Sequence, residues 1–230
     1  EGAVVTEPGL TPMITMSSDV HVGRMPLPVV KENVPPAGMV SVMTACAGSA
    51  AARVARAHAA AAKKVYISVD MEGISGISGD DQLSPSGAEY GRSRKLMAED
   101  TNAAIRGALS GGARDILVND SHGGQRNLLP EDLNPAARLI SHSFKRHGMM
   151  EGLDETFSAI IFVGYHAKAG TPTGLFAHTG SGVVLDLEIN GRSVGEGGLN
   201  AALADWYGVP VVMVTGDDVA VKQVRESAKD

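Results

Sequence analysis

The chain holds 230 residues, 43% hydrophobic and 20% charged, with 20 basic against 26 acidic side chains and a formal net charge of -6. That length suits one good-sized domain plus an appendage, and the acidic balance, without a basic run or interleaved aromatics, speaks against nucleic acid as a partner. Cys46 is the only cysteine, which excludes an internal disulfide and a thiolate metal cluster, and no apolar stretch is long enough to span a bilayer, so no membrane partner and a cytoplasmic location are expected.

Residues 1–62 differ in composition from everything after them. Six prolines between Pro8 and Pro36 break up any long element. Ser49 to Lys64 is Ala-rich and basic, a composition that favours helix. The expectation is a flexible leader that turns helical, in which His21 and His58 are solvated. Met-Thr-Ala-Cys46 faintly resembles a lipoprotein cleavage box, but it lies well inside the chain with no basic region before it.

From residue 63 to 230 the pattern is regular. Val65 to Val69 reads as a buried strand, Ser86 to Leu109 as a helix stopped by Gly111-Gly112, and Asp115 to Val118 as the next strand. Such a unit is almost always right-handed with parallel strands. Arg138 to Ile140 and Ala159 to Gly164 supply further strands. Val183 to Ile189 alternates, Asn190-Gly191 turns the chain, and Arg192 to Val194 returns. Gly198 to Tyr207 looks helical, and Val209 to Val214 is a last apolar strand. The predicted fold class is α/β: a mostly parallel sheet flanked by helices, with one β-hairpin excursion and a metal site at the C-terminal ends of the strands.

Five potential metal ligands end these apolar runs: Asp70, Glu72, His122, His166 and Glu196. Asp70 and Glu72 are two apart, so in extended chain they point the same way; a divalent cation would resolve their repulsion. For each residue a plain alternative exists. The acidic pair could be a solvated strand end, His122 could bond Asp120, and His166 could be a satisfied core histidine. Glu196 could serve the dipole of a helix start. Four strand ends delivering two histidines and three carboxylates to one rim favour the metal, and imidazole with carboxylate suits Zn2+. Five ligands exceed what one four-coordinate zinc needs, which points to two ions bridged by Asp70.

His178, beyond a loop containing Gly170, Pro172 and Gly174, could exchange protons with a reacting amide. Asp217 and Asp218 could anchor a substrate ammonium or cap a helix. His142 and His147 read as surface or structural, and Arg92, Arg94 and Lys95 as a solvated helix face.

Ser68-Val-Asp70-Met-Glu72-Gly73, Asn119-Asp-Ser-His122, Gly164-Tyr-His166-Ala and Val194-Gly-Glu196 together resemble the DppA-type D-aminopeptidases, which are zinc-dependent, self-compartmentalising peptidases. The resemblance runs from about Lys64 to the end and includes Gly198-Leu-Asn200-Ala and Gly216-Asp217-Asp218. It implies a two-zinc centre on Asp70, Glu72, His122, His166 and Glu196, with His178 as the catalytic histidine, proposed as a nucleophile. It marks Asn200, Asp217 and Asp218 as substrate-binding candidates. It further implies removal of N-terminal D-amino acids, D-Ala above all, from short peptides, and assembly into a homodecamer with enclosed active sites. The leader has no counterpart in the family, and the chain stops at Asp230, short of a C-terminal region that helps complete the family's fold. Two other readings stay open: a metal-dependent amidase of different substrate, and a non-catalytic peptide-binding or assembly module.

Overall fold

The computed structural model describes residues 63–228 and the backbone of one strand, Ile14–Met16 (β1). The expectations placed on the rest of residues 1–62, including the Ala-rich helix, Cys46, His21 and His58, lie outside the described residues.

Five strands form a parallel sheet: Lys63–Val69 (β2), Ala113–Asp120 (β3), Ala137–Ile140 (β4), Ala159–Tyr165 (β5) and Val211–Gly216 (β8). Their order across the sheet is β4-β3-β2-β5-β8. Between β5 and β8 the chain makes a hairpin, Leu187–Ile189 (β6) and Arg192–Ser193 (β7), and β1 pairs antiparallel with β6. Helices Tyr90–Ser110 (α1), Glu196–Trp206 (α2) and Asp218–Ser227 (α3) complete the unit. The mostly parallel α/β sheet with its hairpin excursion is as the sequence suggests.

Strands β2, β3 and β5 are apolar on both sides because both faces of the sheet are covered there. Val65, Ile67 and Val69 of β2 pack with Met97 and Ile105 of α1 and with Ile116, Val118, Ile161 and Val163. The alternate residues Tyr66, Leu117, Ile160 and Phe162 pack with Ala201 and Ala204 of α2 and Val224 of α3. Each large aliphatic side chain buried this way stabilises the fold by about 1.5–3 kcal/mol.

Several element boundaries differ from expectation, three of them with a clear local cause. Helix α1 starts at Tyr90 rather than Ser86, because the Gly87 amide donates to the Ser84 carbonyl in a turn. A Cβ on Gly87 would lie 2.0 Å from the Asp81 carbonyl oxygen, so that turn is packed against the preceding loop. The strand expected from Val183 begins only at Leu187. The Asp186 carboxylate accepts from the Leu187 amide and from Ser193 Oγ, which organises the chain locally and leaves Val183 and Leu185 exposed. The turn between β6 and β7 has Asn190 at φ 53° and Gly191 at φ 76°, the conformation an Asn-Gly hairpin favours. The last strand is displaced to Val211–Gly216, since the Val209 amide still bonds the Ala204 carbonyl at the end of α2.

From β2 the chain moves outward to β3 and β4, then returns to β5 and continues to β8 on the other side. Strands β2 and β5 are therefore neighbours whose connections leave in opposite directions, and the crevice beyond their carboxyl ends is where such sheets bind ligands. Two glycines keep this crevice tight. Gly164 has φ 72°, and a Cβ there would lie 2.4 Å from the Asp70 carbonyl oxygen. A Cβ on Gly73 would lie 2.2 Å from the Tyr165 carbonyl oxygen.

Candidate metal centre

Each ligand expected from the sequence stands at the end of a sheet strand or the start of a helix. Asp70 and Glu72 follow β2, His122 follows β3, His166 follows β5, and Glu196 opens α2 behind Gly195. Asp70, Glu72, His122 and His166 are at most 8% exposed. Three carboxylates gathered in so little water need cationic partners.

The histidines show where a cation belongs. His122 Nε2 lies 2.8 Å from the Leu83 carbonyl oxygen. A carbonyl only accepts, so Nε2 carries a proton and donates it. That leaves Nδ1 facing Glu72 Oε2 at 3.0 Å and Asp70 Oδ1 at 3.3 Å. His166 Nδ1 likewise donates to the Ala167 carbonyl at 2.9 Å. His166 Nε2 then points inward, 3.5 Å from Asp70 Oδ2 and 3.3 Å from Glu196 Oε1. Asp70 Oδ2 and His166 Nε2 are both buried with no hydrogen-bond partner. His178 Nδ1 donates to the Phe176 carbonyl at 2.8 Å, and its Nε2 lies 3.6 Å from Glu196 Oε1 and 4.0 Å from Glu72 Oε1. In all three rings the outer nitrogen is held by the main chain and the inner one faces carboxylates, the arrangement by which proteins orient metal-binding imidazoles.

Protonation follows the same geometry. Burial pulls His122 down, but the carboxylates of Asp70 and Glu72 outweigh it and push it up to about 11. Burial also opposes the charge on His166, which Glu196 and Asp70 nonetheless raise to about 10. Burial and the neighbouring Glu72 push Asp70 up to about 7. Against its own burial, Glu72 is held well below the usual carboxylate range by His122. Glu196, also buried, is lowered by His166 and by the Gly180 amide, which donates to its Oε1 at 2.6 Å. Protons thus stand where a metal cation would satisfy the same lone pairs.

Ligand atoms of Asp70, Glu72 and His122 lie within 4.8 Å of one another, as do those of Asp70, His166 and Glu196, and those of Glu72, His166 and His178. Asp70, Glu72 and His166 each belong to two of these three groups, and the mixed carboxylate and imidazole donor set fits a divalent metal such as zinc. A model for the D-aminopeptidase family matches residues 63–230. The chain belongs to the D-aminopeptidase family. It is 48% identical over 163 residues to a D-aminopeptidase of Bacillus subtilis (strain 168), a match covering 71% of this chain and 59% of the relative. Its structure superposes with a TM-score of 0.69, at 48% identity and the same coverage, on a solved structure described as Zn-dependent D-aminopeptidase DppA from Bacillus subtilis, a self-compartmentalizing protease. The chain thus spans about three-fifths of the length of the relatives it matches.

Within this D-aminopeptidase fold, His178 joins the cluster from the loop before the hairpin. Its ring stacks on His166 with centroids 4.0 Å apart and planes 7° apart, and its side chain is 31% exposed. The other three candidates stand differently. Asn200 is buried on α2 and donates to the Tyr165 hydroxyl. Both carboxylate oxygens of Asp217 accept main-chain amides, from Ala220 and from Leu175, so it takes the capping alternative. Asp218 is exposed in the first turn of α3.

The possible His122–Asp120 bond is absent. Asp120 instead accepts the amides of Asn127 and Leu128 and the Asn127 side chain, which also donates to the His122 carbonyl at 2.7 Å. Arg94 is not a solvated side chain: half-buried, its Nε donates to the Asn127 carbonyl and braces this clamp. Sequence reasoning missed the clamp and the orienting carbonyls of Leu83, Phe176 and Ala167. Asn127 stands seven residues after Asp120 in a loop, a spacing without a signature, and a main-chain carbonyl carries none.

Proposed function

We propose that this chain is a zinc-dependent aminopeptidase that removes N-terminal D-amino acids, D-Ala among them, from short peptides. The observation that carries the reading is the buried, partnerless pair Asp70 Oδ2 and His166 Nε2, flanked by Glu72, His122 and Glu196. In this reading one zinc is held by Asp70, Glu72 and His122, and a second by Asp70, His166 and Glu196. Zinc held there supplies polarisation of the scissile carbonyl and acidification of a water.

The remaining steps belong to the chain's own residues. His178 is the partly exposed histidine of the cluster, so its Nε2 is the group a peptide can reach. It either moves a proton to the leaving amine as water adds to the carbonyl, or attacks the carbonyl itself. In the second case the C–N bond breaks, the protonated amine leaves and water then hydrolyses the acyl-imidazole to free the histidine. The Phe176 carbonyl fixes its Nδ1 proton, and the His166 ring fixes its plane. Glu196 and Glu72 lie close enough to steady a positive charge on His178 while the proton is in transit.

Selection of D-residues rests on the family and on the Bacillus relative named for it. A homo-oligomer, the family's decamer, is proposed on the same footing, because the solved relative is described as self-compartmentalizing. Exposed Val183, Leu185, Val212 and Met213 provide apolar surface for such association.

The test is hydrolysis of D-Ala-D-Ala and L-Ala-L-Ala by the purified chain, with zinc supplied and after chelation. Zinc-dependent cleavage of the D-peptide alone is the expected result. A folded, zinc-loaded chain that cleaves neither peptide overturns the reading.

A further inference from the structure

Behind the carboxylates and imidazoles lies a second set of polar side chains that metal ligation does not use. Ser68, Ser121, Tyr165 and Asn200 are each at most 5% exposed. The Tyr165 hydroxyl accepts from Asn200 Nδ2 at 2.9 Å and lies 2.7 Å from Ser68 Oγ. Ser68 Oγ lies 2.8 Å from Ser121 Oγ and donates to the Met149 carbonyl at 2.8 Å. Asn119 Nδ2 donates to Ser121 Oγ at 3.1 Å.

Asn200 and Asn119 donate at the two ends, and the three hydroxyls of Tyr165, Ser68 and Ser121 are joined to one another. Carbonyl acceptors close the set: Met149 for Ser68, with the Asn119 and Met149 carbonyls each 3.2 Å from Ser121 Oγ.

Their places in the chain give the set its meaning. Ser68 lies two residues before Asp70 at the end of β2. Ser121 immediately precedes His122, Tyr165 immediately precedes His166, and Asn200 sits one helical turn after Glu196 on α2. Every segment that carries a candidate ligand is joined to the others by hydrogen bonds one layer below the centre. Stability alone does not call for this arrangement, because apolar side chains of similar volume would fill the layer at no loss of stability. A satisfied buried network does, however, select one arrangement of its members.

We infer that Ser68, Ser121, Tyr165 and Asn200 are positioning residues, a single network that sets how the ligand segments of β2, β3, β5 and α2 stand relative to one another and so fixes metal affinity and coordination geometry. The inference rests on the metal-centre reading given above.

The test uses the whole chain and compares Tyr165→Phe, Ser121→Ala and Asn200→Ala with a control, Tyr66→Phe. Tyr66 is equally buried, two residues before Ser68 on the same face of β2, and its hydroxyl donates to the Glu151 carbonyl at 2.8 Å, with only a long 3.5 Å contact to the Met149 carbonyl on which the network ends. Three quantities are measured: zinc affinity by competition with a chelating dye, the visible spectrum of the cobalt(II)-substituted protein, and the melting temperature of the metal-free protein. Tyr165→Phe is expected to weaken zinc binding about 10–100-fold, the usual effect of removing a group that orients a ligand, and to shift the cobalt bands. Ser121→Ala and Asn200→Ala move both readouts in the same direction. Tyr66→Phe lowers the metal-free melting temperature comparably but leaves zinc affinity and the cobalt spectrum as in the parent.

The inference is overturned if Tyr165→Phe keeps the parent's affinity and spectrum, or if Tyr66→Phe weakens zinc equally. Should Tyr165→Phe not fold, Ser121→Ala decides by the same comparison, since it removes one hydroxyl from a small side chain. A folded parent that binds no zinc overturns the metal-centre reading itself, which is distinguishable from a parent and variants that bind alike.

Discussion

Zinc uptake at pH 8 is expected to release at least about one proton per ion from the ligands, two per chain, because a metal ligand must offer a bare lone pair, and an acidified water would add to that number. The structure sets that number. In the metal-free centre His122 is pushed up to about 11 and His166 to about 10, so each ring carries an extra proton at pH 8. Asp70, at about 7, is mostly ionised there and adds little. Zinc and protons compete, so affinity falls as pH falls. For one proton per ion the fall is about tenfold per pH unit, or about 1.4 kcal/mol. Toward pH 6 Asp70 is protonated as well and the dependence steepens. The same shifts govern the metal-free fold. Both histidines are raised above their unfolded values near 6.5, so the stability they contribute is fully present below about pH 6.5 and is lost as pH rises toward 10–11. Calorimetric titration with zinc in two buffers of different ionisation enthalpy counts the protons directly. Heats independent of buffer, or equal affinity at pH 7 and pH 8.5, would refute the reasoning, since the imidazoles would then already be bare.

The remaining predictions are direct. Asp70→Asn is expected to reduce bound zinc in the dialysed protein well below that of Glu72→Gln, because the proposed two-zinc reading gives Asp70 to both ions and Glu72 to one, although Glu72 also stands in the group with His166 and His178; equal metal content in the two variants contradicts the shared-carboxylate arrangement. His178→Ala is expected to keep its zinc while D-Ala-D-Ala turnover falls about 10²–10⁴-fold, the range for a lost proton-transfer group; unchanged turnover removes His178 from the chemistry. Gly164→Ala places a Cβ 2.4 Å from the Asp70 carbonyl oxygen at φ 72°, and urea melts are expected to show a loss of about 3 kcal/mol or more. Asp217→Ala removes a helix cap, with an expected loss of about 1 kcal/mol and an unchanged KM; a raised KM at unchanged stability would make Asp217 the anchor for the substrate ammonium.

Much of the fold was legible because β2, β3 and β5 are buried on both faces and read as unbroken apolar runs. Each run ends in a charged or imidazole residue near a glycine, so the ligand positions could be seen as interruptions. The Asn190-Gly191 turn was equally plain. What could not be read depends on contacts between distant segments. The start of α1 is set by the packing of Gly87 on Asp81, and the start of β6 by an Asp186 side chain that bonds across the hairpin. Capping and substrate anchoring make the same demand on Asp217 at the sequence level, a carboxylate after a strand, and only its two amide partners tell them apart. Ser68 and Ser121 read as ordinary polar residues near strand ends, because a hydrogen bond between strands leaves no mark in either one.

The centre depends on groups that lie outside it. Asp70 Oδ2 and His166 Nε2 are buried without a hydrogen-bond partner and lie 3.5 Å apart. The two side chains are oriented by groups outside the pair: the Ala167 carbonyl on His166 Nδ1, the Met71 amide on Asp70 Oδ1, and the close backbone approach that Gly164 permits. Zinc at one hundred times its dissociation constant would stabilise the folded protein by about 2.7 kcal/mol. Stability and metal binding are therefore one property of this site, and a substitution that loosens the supports will weaken the metal before it unfolds the sheet.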